Sequence, residues 1–395
     1  MPTLVYADGF EHQVAASTGY GDANQKLFTS FTNPGQASFV TGRQGGSSIG
    51  MQLVENGVAA VNGAKAWMGT TAISGGATGS AAARTYVTSF YFKVAAAPAG
   101  NSNMMMAITT TNGTVRMNAT GTIAINWGAT TAATTTTYDD DAWHRVDWKV
   151  DTTANPHTQS ATIDGVDSIG PITVANAAAD ITTIRVGSSV AGDDLTCIYD
   201  DWVCSATLAD YPLGEYVIKA LVPTGDGTHN AGTNTIEDNA GADINGTSVT
   251  AYPLVDEWPP NTTDYVMQSA TGAGNYAEVT FDDVTGSIDC VVGLAAIWSA
   301  GTGVNNGTVR IVDSTPATLI DIYSGDQSDT ALRYQAATVP APGGTWSADE
   351  VNGLVARMGF STDVVDVPRW SAIMIQYAQT PQTRLIVVNT IAATL

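Results

Sequence analysis

The chain has 395 residues, with 37 aspartates and glutamates against 15 lysines and arginines, a formal net charge of -22 at pH 7. That balance repels phosphate backbones and anionic lipid headgroups, so neither nucleic acid nor a membrane surface is expected as a partner. Charged residues make up only 13% of the chain while 44% is hydrophobic and 40 residues are glycine, a composition that disfavours long helices and suits short strands joined by tight turns.

The length suits two domains, at roughly 100–200 residues each. No apolar run reaches the roughly 20 residues a membrane helix requires, the longest lying around 291–300. The N-terminal "MPTLVYADGF" has no basic start followed by an apolar stretch, so no signal peptide is expected. Cys197, Cys204 and Cys290 form no paired framework and read as thiols packed like small apolar residues.

Residues 1–210 read as a series of short strands forming one sandwich. "YVTSFYFKV" (86–94) has aromatic and β-branched residues at strand density, and "TVRMNATGTIAINW" (114–127) reads as two strands around Gly121. "GATTAATTTT" (128–137) reads as a loop running into a strand edge. In "AWHRVDWKVDTT" (142–153), His144, Val146, Trp148 and Val150 share one face and Arg145, Asp147 and Lys149 the other, the pattern of a half-buried strand. Asp164-Gly165 then suits a two-residue type I′ hairpin, placing Ile163 and Val166 opposite each other. In "CIYDDWVCS" (197–205), strict alternation puts Ile198, Asp200 and Trp202 together, an odd inward position for a carboxylate.

The texture changes at residue 211. Residues 211–262 read as a connecting segment with one strand at 215–222, and residues 263–395 as a second β-rich, sandwich-like domain. One short helix is expected there, near 348–358: Ser347 and Glu350 match a capping box, Val351, Leu354, Val355 and Met358 follow at helical spacing, and Gly359 stands where the helix would end. The fold class is therefore all-β with one short helix.

"YADGFEH" (6–12), "DAWHRVDWKVD" (141–151) leading into "ATIDGVD" (161–167), and "YDDWVCS" (199–205) stand in the order seen in laminin-G-like, concanavalin-type jelly-roll domains, which the first half of the chain resembles. The resemblance implies that the first strand pairs with the last. "PLGEYVIKALVPTGDGTHN" (212–230), "YPLVDEWPPNTTDYV" (252–266), "WSADEVNGLVARMGFSTD" (346–363) and "RWSAIMIQYA" (369–378) resemble segments of minor tail and other virion structural proteins of tailed bacteriophages. That second resemblance implies a structural component of the virion, assembled in the host cytoplasm, that binds other virion proteins and copies of itself, three-fold symmetry being expected for a tail appendage.

Laminin-G-like domains often hold Ca²⁺ between rim loops, which makes Asp139, Asp141, Asp193 and Asp194 candidate ligands, with Asp140, Asp200 and Asp201 nearby. The alternative is a solvated acidic rim, because no dedicated calcium-loop spacing is present. Asp8 and Asp200 are also candidates for hydrogen-bonded neighbours on the paired first and last strands. No catalytic residue is expected. The "E-x-D-x-x-E" run of concanavalin-type glucanases is absent, Asp349 and Glu350 begin the helix, and His12, His144, His157 and His229 have no "GxSxG" partner. A glycan-binding role would use exposed rings such as Trp67, Trp127, Trp258 and Trp298, which equally suit core positions. The expectation is a non-enzymatic minor tail or tail-tip protein; the alternatives are a receptor module for a host cell-surface glycan and a capsid decoration or head-fibre protein.

Overall fold

The structure, a computed structural model, describes residues 4–10, 30–33, 36–44, 49–55, 61–66, 84–109, 112–188, 190, 192–229, 236–244, 250–256, 263–268, 275–299, 306–315, 317–326, 333–360 and 367–381. Its described elements are almost entirely antiparallel strands, arranged as two sandwiches.

The first sandwich has two sheets. Sheet I runs in the order Asp167–Val174, His157–Ile163, Trp143–Asp151, Thr85–Lys93, Thr196–Ser205, Ile49–Val54, Ala37–Thr41, and Leu4–Asp8 also pairs with Thr196–Ser205. The first strand thus meets the last strand of the sandwich, Asp8 opposite Trp202. Sheet II runs Thr130–Thr137, Thr122–Trp127, Gly113–Met117, Ser102–Ile108, Thr183–Ser188, Val61–Ala66, Ser30–Thr32.

Alternating side chains from both sheets make the core. Val146, Trp148 and Val150 enter it from one strand and Tyr86, Phe90 and Phe92 from its neighbour, as the alternation of 142–153 predicts. Trp148 Nε1 donates to Gln159 Oε1 at 3.0 Å, so the buried indole N–H is satisfied.

The odd carboxylate in "CIYDDWVCS" has a backbone cause. The pairing register with Thr85–Lys93 shifts between Asp200 and Val203, and Asp201 adopts φ 45°. This bulge inserts one extra residue, so Tyr199, Trp202 and Cys204 all join the core while strict alternation would have sent Asp200 inward with Trp202. The expected grouping of Ile198, Asp200 and Trp202 on one face is therefore replaced.

The second sandwich joins sheet III, in the order Ile236–Asp238, Val266–Gln268, Pro368–Gln379, Cys290–Ser299, Arg333–Val339, to sheet IV, in the order Pro223–Asp226, Tyr276–Phe281, Val355–Phe360, Asn306–Val312, Thr318–Asp326. Val217–Leu221 also pairs with Pro368–Gln379. Cys290–Ser299 is buried at every position, which a strand with one wet face cannot be. Its Val291, Ala295 and Ile297 face sheet IV, whereas Cys290, Val292 and Leu294 join Leu4, Ala7, Val87, Val203, Leu213, Tyr216 and Ile218 in a separate core between the sandwiches. The four sheets therefore stack II, I, III, IV, with both middle sheets covered on two sides. Each aliphatic side chain buried at that junction contributes about 1.5–3 kcal/mol of transfer free energy.

Four expectations change on contact with tertiary pairing. The capping box at Ser347 and Glu350 is formed, but the helix is only Ala348–Asn352, capped by Gly353 rather than running to 358. Val355–Phe360 is a strand because both its edges find partners, and Leu354, Ala356 and Met358 satisfy a period of two as well as Leu354, Val355 and Met358 satisfy a helical one. Residues 211–262 contribute three strands rather than one, each paired into the second sandwich. The strand edge expected at the end of 128–137 is present, but it takes in all of Thr130–Thr137 rather than following a loop. Asp164 and Gly165 have the positive φ values of the predicted turn, 53° and 72°, yet Ile163 pairs with Asp167 and leaves Val166 81% exposed.

Candidate functional site

Three groups of charged residues stand out among the described residues of the first sandwich. The first is its acidic rim. Tyr138 ends the Thr-rich strand, and 139–142 turns the chain into Trp143–Asp151, with Asp141 at φ 60°. His144 stands just beyond, against the rings of Phe92 and Tyr138. Its Nε2 lies 2.9 Å from Asp140 Oδ1 and its Nδ1 2.7 Å from Asp164 Oδ2. Burial opposes the imidazolium, but the two carboxylates outweigh it and raise the His144 pKa above its ordinary 6.5. Asp164 also accepts the Arg145 N–H at 2.7 Å, and Tyr138 O–H donates to Asp167 at 2.6 Å. The hairpin turn, the 139–142 loop and the strand between them are thus joined through one histidine.

The second place lies along the same end of the sandwich, where sheets I and II are bridged by a buried acid. Glu55 Oε1 accepts the Ser188 N–H at 2.8 Å, and burial pushes the Glu55 carboxyl up to about 8. Asp193 accepts from the Ser188 hydroxyl and from the Asn103 N–H at 3.1 Å. Asp194 accepts the Ala99 N–H at 2.9 Å.

The third is the outer face of sheet I, against the second sandwich. Asp147 pairs with Arg145 at 2.9 Å and accepts the Gly214 N–H at 2.9 Å. Asp201 pairs with Arg43 at 2.7 Å and accepts the Ile218 N–H at 2.7 Å, while Arg43 also donates to the Tyr216 carbonyl and lies 3.7 Å over the Tyr91 ring. Burial raises both carboxyl pKa values, against the pull of their arginines. Asp200 accepts the Arg43 N–H at 2.6 Å; Asp8 stands on the inner side of its strand, accepting from the Tyr6 hydroxyl at 2.5 Å and the Phe10 N–H at 2.9 Å.

Of the four candidate calcium ligands, Asp141 and Asp194 line one shallow depression with Lys93, Gln52 and Thr196, where Lys93 Nζ is 3.0 Å from Asp141. Asp139 packs toward Gly121 and Asp193 toward Ser188. Among the described residues, no three His, Cys, Asp or Glu side chains converge as a metal ion requires. The tryptophans divide as well. Trp127 is fully buried in the first core, and Trp298 is 5% exposed against Tyr265, so neither offers a free ring face; Trp67 and Trp258 lie outside the described residues, as does His12. His157 is buried with Nε2 on the Ala177 carbonyl at 2.7 Å, and His229 lies 3.4 Å from Asp226.

Sequence alone did not single out Glu55, Arg43 or the pairing of Asp147 with Gly214. Arg145 and Asp147 carried a signal, two charges on the non-core face of a strand, but Gly214, which Asp147 holds, is 67 residues away along the chain.

These features define a two-sandwich all-β protein whose described buried charges serve internal contacts. No protein-family model matches the chain. No curated protein matches it either. Among solved structures it is similar to Trypanosoma rangeli sialidase, with 12% identity, 43% of this chain and 27% of that chain covered, and a TM-score of 0.30. It is also similar to domain 4 of a GH43 extracellular arabinanase from Geobacillus stearothermophilus in complex with arabinotriose, with 11% identity, coverage of 51% and 92%, and a TM-score of 0.32. Domains LG4-5 of the mouse laminin alpha1 chain match at 10% identity over 92% and 84%, with a TM-score of 0.29. The chain spans about a quarter of the sialidase's length. At such scores these likenesses carry neither a ligand nor a reaction to this chain.

Proposed function

We propose that the chain is a non-enzymatic structural component of a tailed-phage virion, a minor tail or tail-tip protein that works by docking to other virion proteins and to copies of itself. The observation that carries this reading is the buried junction, in which two sandwiches share an apolar core and a set of side-chain clamps on the 214–218 backbone. A block stiffened in this way suits a protein whose work is to hold position. The segment resemblances at 212–230, 252–266, 346–363 and 369–378 supply the virion assignment. Capsid decoration is the nearest variant of the same role.

An image of a tailed particle from the host that encodes the chain, at a resolution that separates β-sheets, tests this. Density for the stacked sandwiches on the tail is the expected result, density on the head selects the decoration variant, and a particle lacking the chain altogether overturns the proposal.

A further inference from the structure

A cavity of about 410 Å³ opens where the two sandwiches meet, apart from the three charged groups of the first sandwich. The pairing in sheet III explains why it forms. Val339 pairs with Val291 and Trp346 bridges Ile288, so residues 340–345 stand opposite Asp289 and Cys290 alone. The surplus chain has to arch out of the sheet. Gly344, at φ 85°, makes the bend, and its N–H donates to the Ala341 carbonyl at 3.1 Å. The cavity lies at this arch, with Ile288, Val339 and Trp346 among its apolar walls and Leu4 of the first sandwich on one side.

Its chemistry is one-sided. Among the residues that line it, Asp289 alone is charged; no lysine, arginine or histidine stands there to balance it. Asp289 Oδ2 accepts the Thr380 N–H at 3.2 Å and the Thr380 hydroxyl at 2.8 Å, which fixes the carboxylate in place. Oδ1 takes no hydrogen bond from a described residue. Asp289 is partly exposed, and Pro340 and Thr345 are exposed in the arch, so a solute reaches both the carboxylate and the walls.

These features select a class of ligand. A positively charged N–H group at Oδ1 gains a charge-assisted hydrogen bond, while an apolar body attached to it covers the walls. An anion is repelled by Asp289 and by the chain's net charge of -22. A hard metal ion wants six to eight oxygens and finds a single carboxylate. A neutral apolar molecule covers the walls but leaves Oδ1 without a donor.

We infer that this cavity binds an organic cation, an ammonium group carried on an apolar body, with Asp289 as the charge contact and the 340–346 arch as the apolar wall. Leu4 comes from the first sandwich and the other lining residues from the second, so the bound cation touches both and stabilises their junction. The inference stands apart from the virion assignment and needs only the free protein.

The test is calorimetric titration of the full chain with phenethylamine, 2-phenylethanol and 3-phenylpropionate, which place a positive, a neutral and a negative head on similar apolar bodies. Saturable binding of the amine is expected, with the alcohol at least tenfold weaker and the acid not bound. Asp289→Asn keeps an acceptor for Thr380 and should weaken the amine at least tenfold while leaving the alcohol unchanged. Thr345→Phe, at an exposed position, should fill the cavity and weaken both, and melting temperatures confirm that the two variants fold. No amine binding, equal or tighter binding of the alcohol or the acid, or amine binding unchanged in either variant would overturn the inference.

Discussion

Asp147 Oδ1 accepts the backbone N–H of Gly214 at 2.9 Å, so a fully buried carboxylate on an interior strand of sheet I holds the segment that leads into the second sandwich. Ser89 Oγ donates to the carbonyl of the same glycine at 3.1 Å. Both backbone groups of Gly214 are thereby tied to sheet I, and Asp201 and Arg43 repeat the device at Ile218 and Tyr216.

Asp147→Ala leaves Arg145, 15% exposed, without its partner and Gly214 N–H without its acceptor. Removing one member of a buried pair costs about 3–5 kcal/mol, and equilibrium urea unfolding should show a loss in that range. Asp147→Asn keeps an acceptor for Gly214 and should lose less.

Glu55 gives a pH dependence of defined sign. Its carboxyl titrates near 8 when folded against an ordinary 4.5, so the folded state holds the proton more tightly than the unfolded one. That contribution is complete below pH 4.5 and is lost as pH rises toward 8. Glu55→Gln removes it, so the variant should gain stability on the wild type between pH 5 and 8, by about 1–3 kcal/mol at the upper end, with a correspondingly higher melting temperature. Parallel melting curves for the two proteins across that window would contradict the assignment.

His144 runs the other way in cause and is also lost on the alkaline side. Its folded pKa lies above 6.5, so its ion pairs with Asp140 and Asp164 stabilise fully below pH 6.5 and fade as pH rises through the folded value. An NMR titration of His144 should give a midpoint above the ordinary histidine value, and Asp164→Asn should bring that midpoint down.

Much of this was legible beforehand. The alternation in 142–153 identified the core strand, the Asp164-Gly165 pair identified the turn, and the Ser347 and Glu350 spacing identified the helix start. The end of that helix was not legible, because Val355–Phe360 fits two periodicities and only its partners on both sides decide between them. The face of Asp200 depended on a one-residue bulge, which composition does not encode. The acid rim was visible as a run of aspartates, but its organising residue, His144, emerges only when 140 and 164 are brought together in space.

Gly359 tests the register of sheet IV. A Cβ there would collide with the backbone carbonyl of Asn275 and come within 3.0 Å of Tyr276 Cβ. Gly359→Ala should therefore destabilise the second sandwich by about 1–3 kcal/mol, whereas Gly100→Ala, which meets nothing within 4 Å, should leave thermal stability nearly unchanged.

The protein composition of purified tailed particles bears most directly on the claim that this chain is a building block rather than a catalyst. The account predicts the chain at a fixed number of copies per particle, and soluble protein that leaves host polysaccharides uncut. Its absence from washed particles, together with polysaccharide cleavage by the soluble chain, would contradict it.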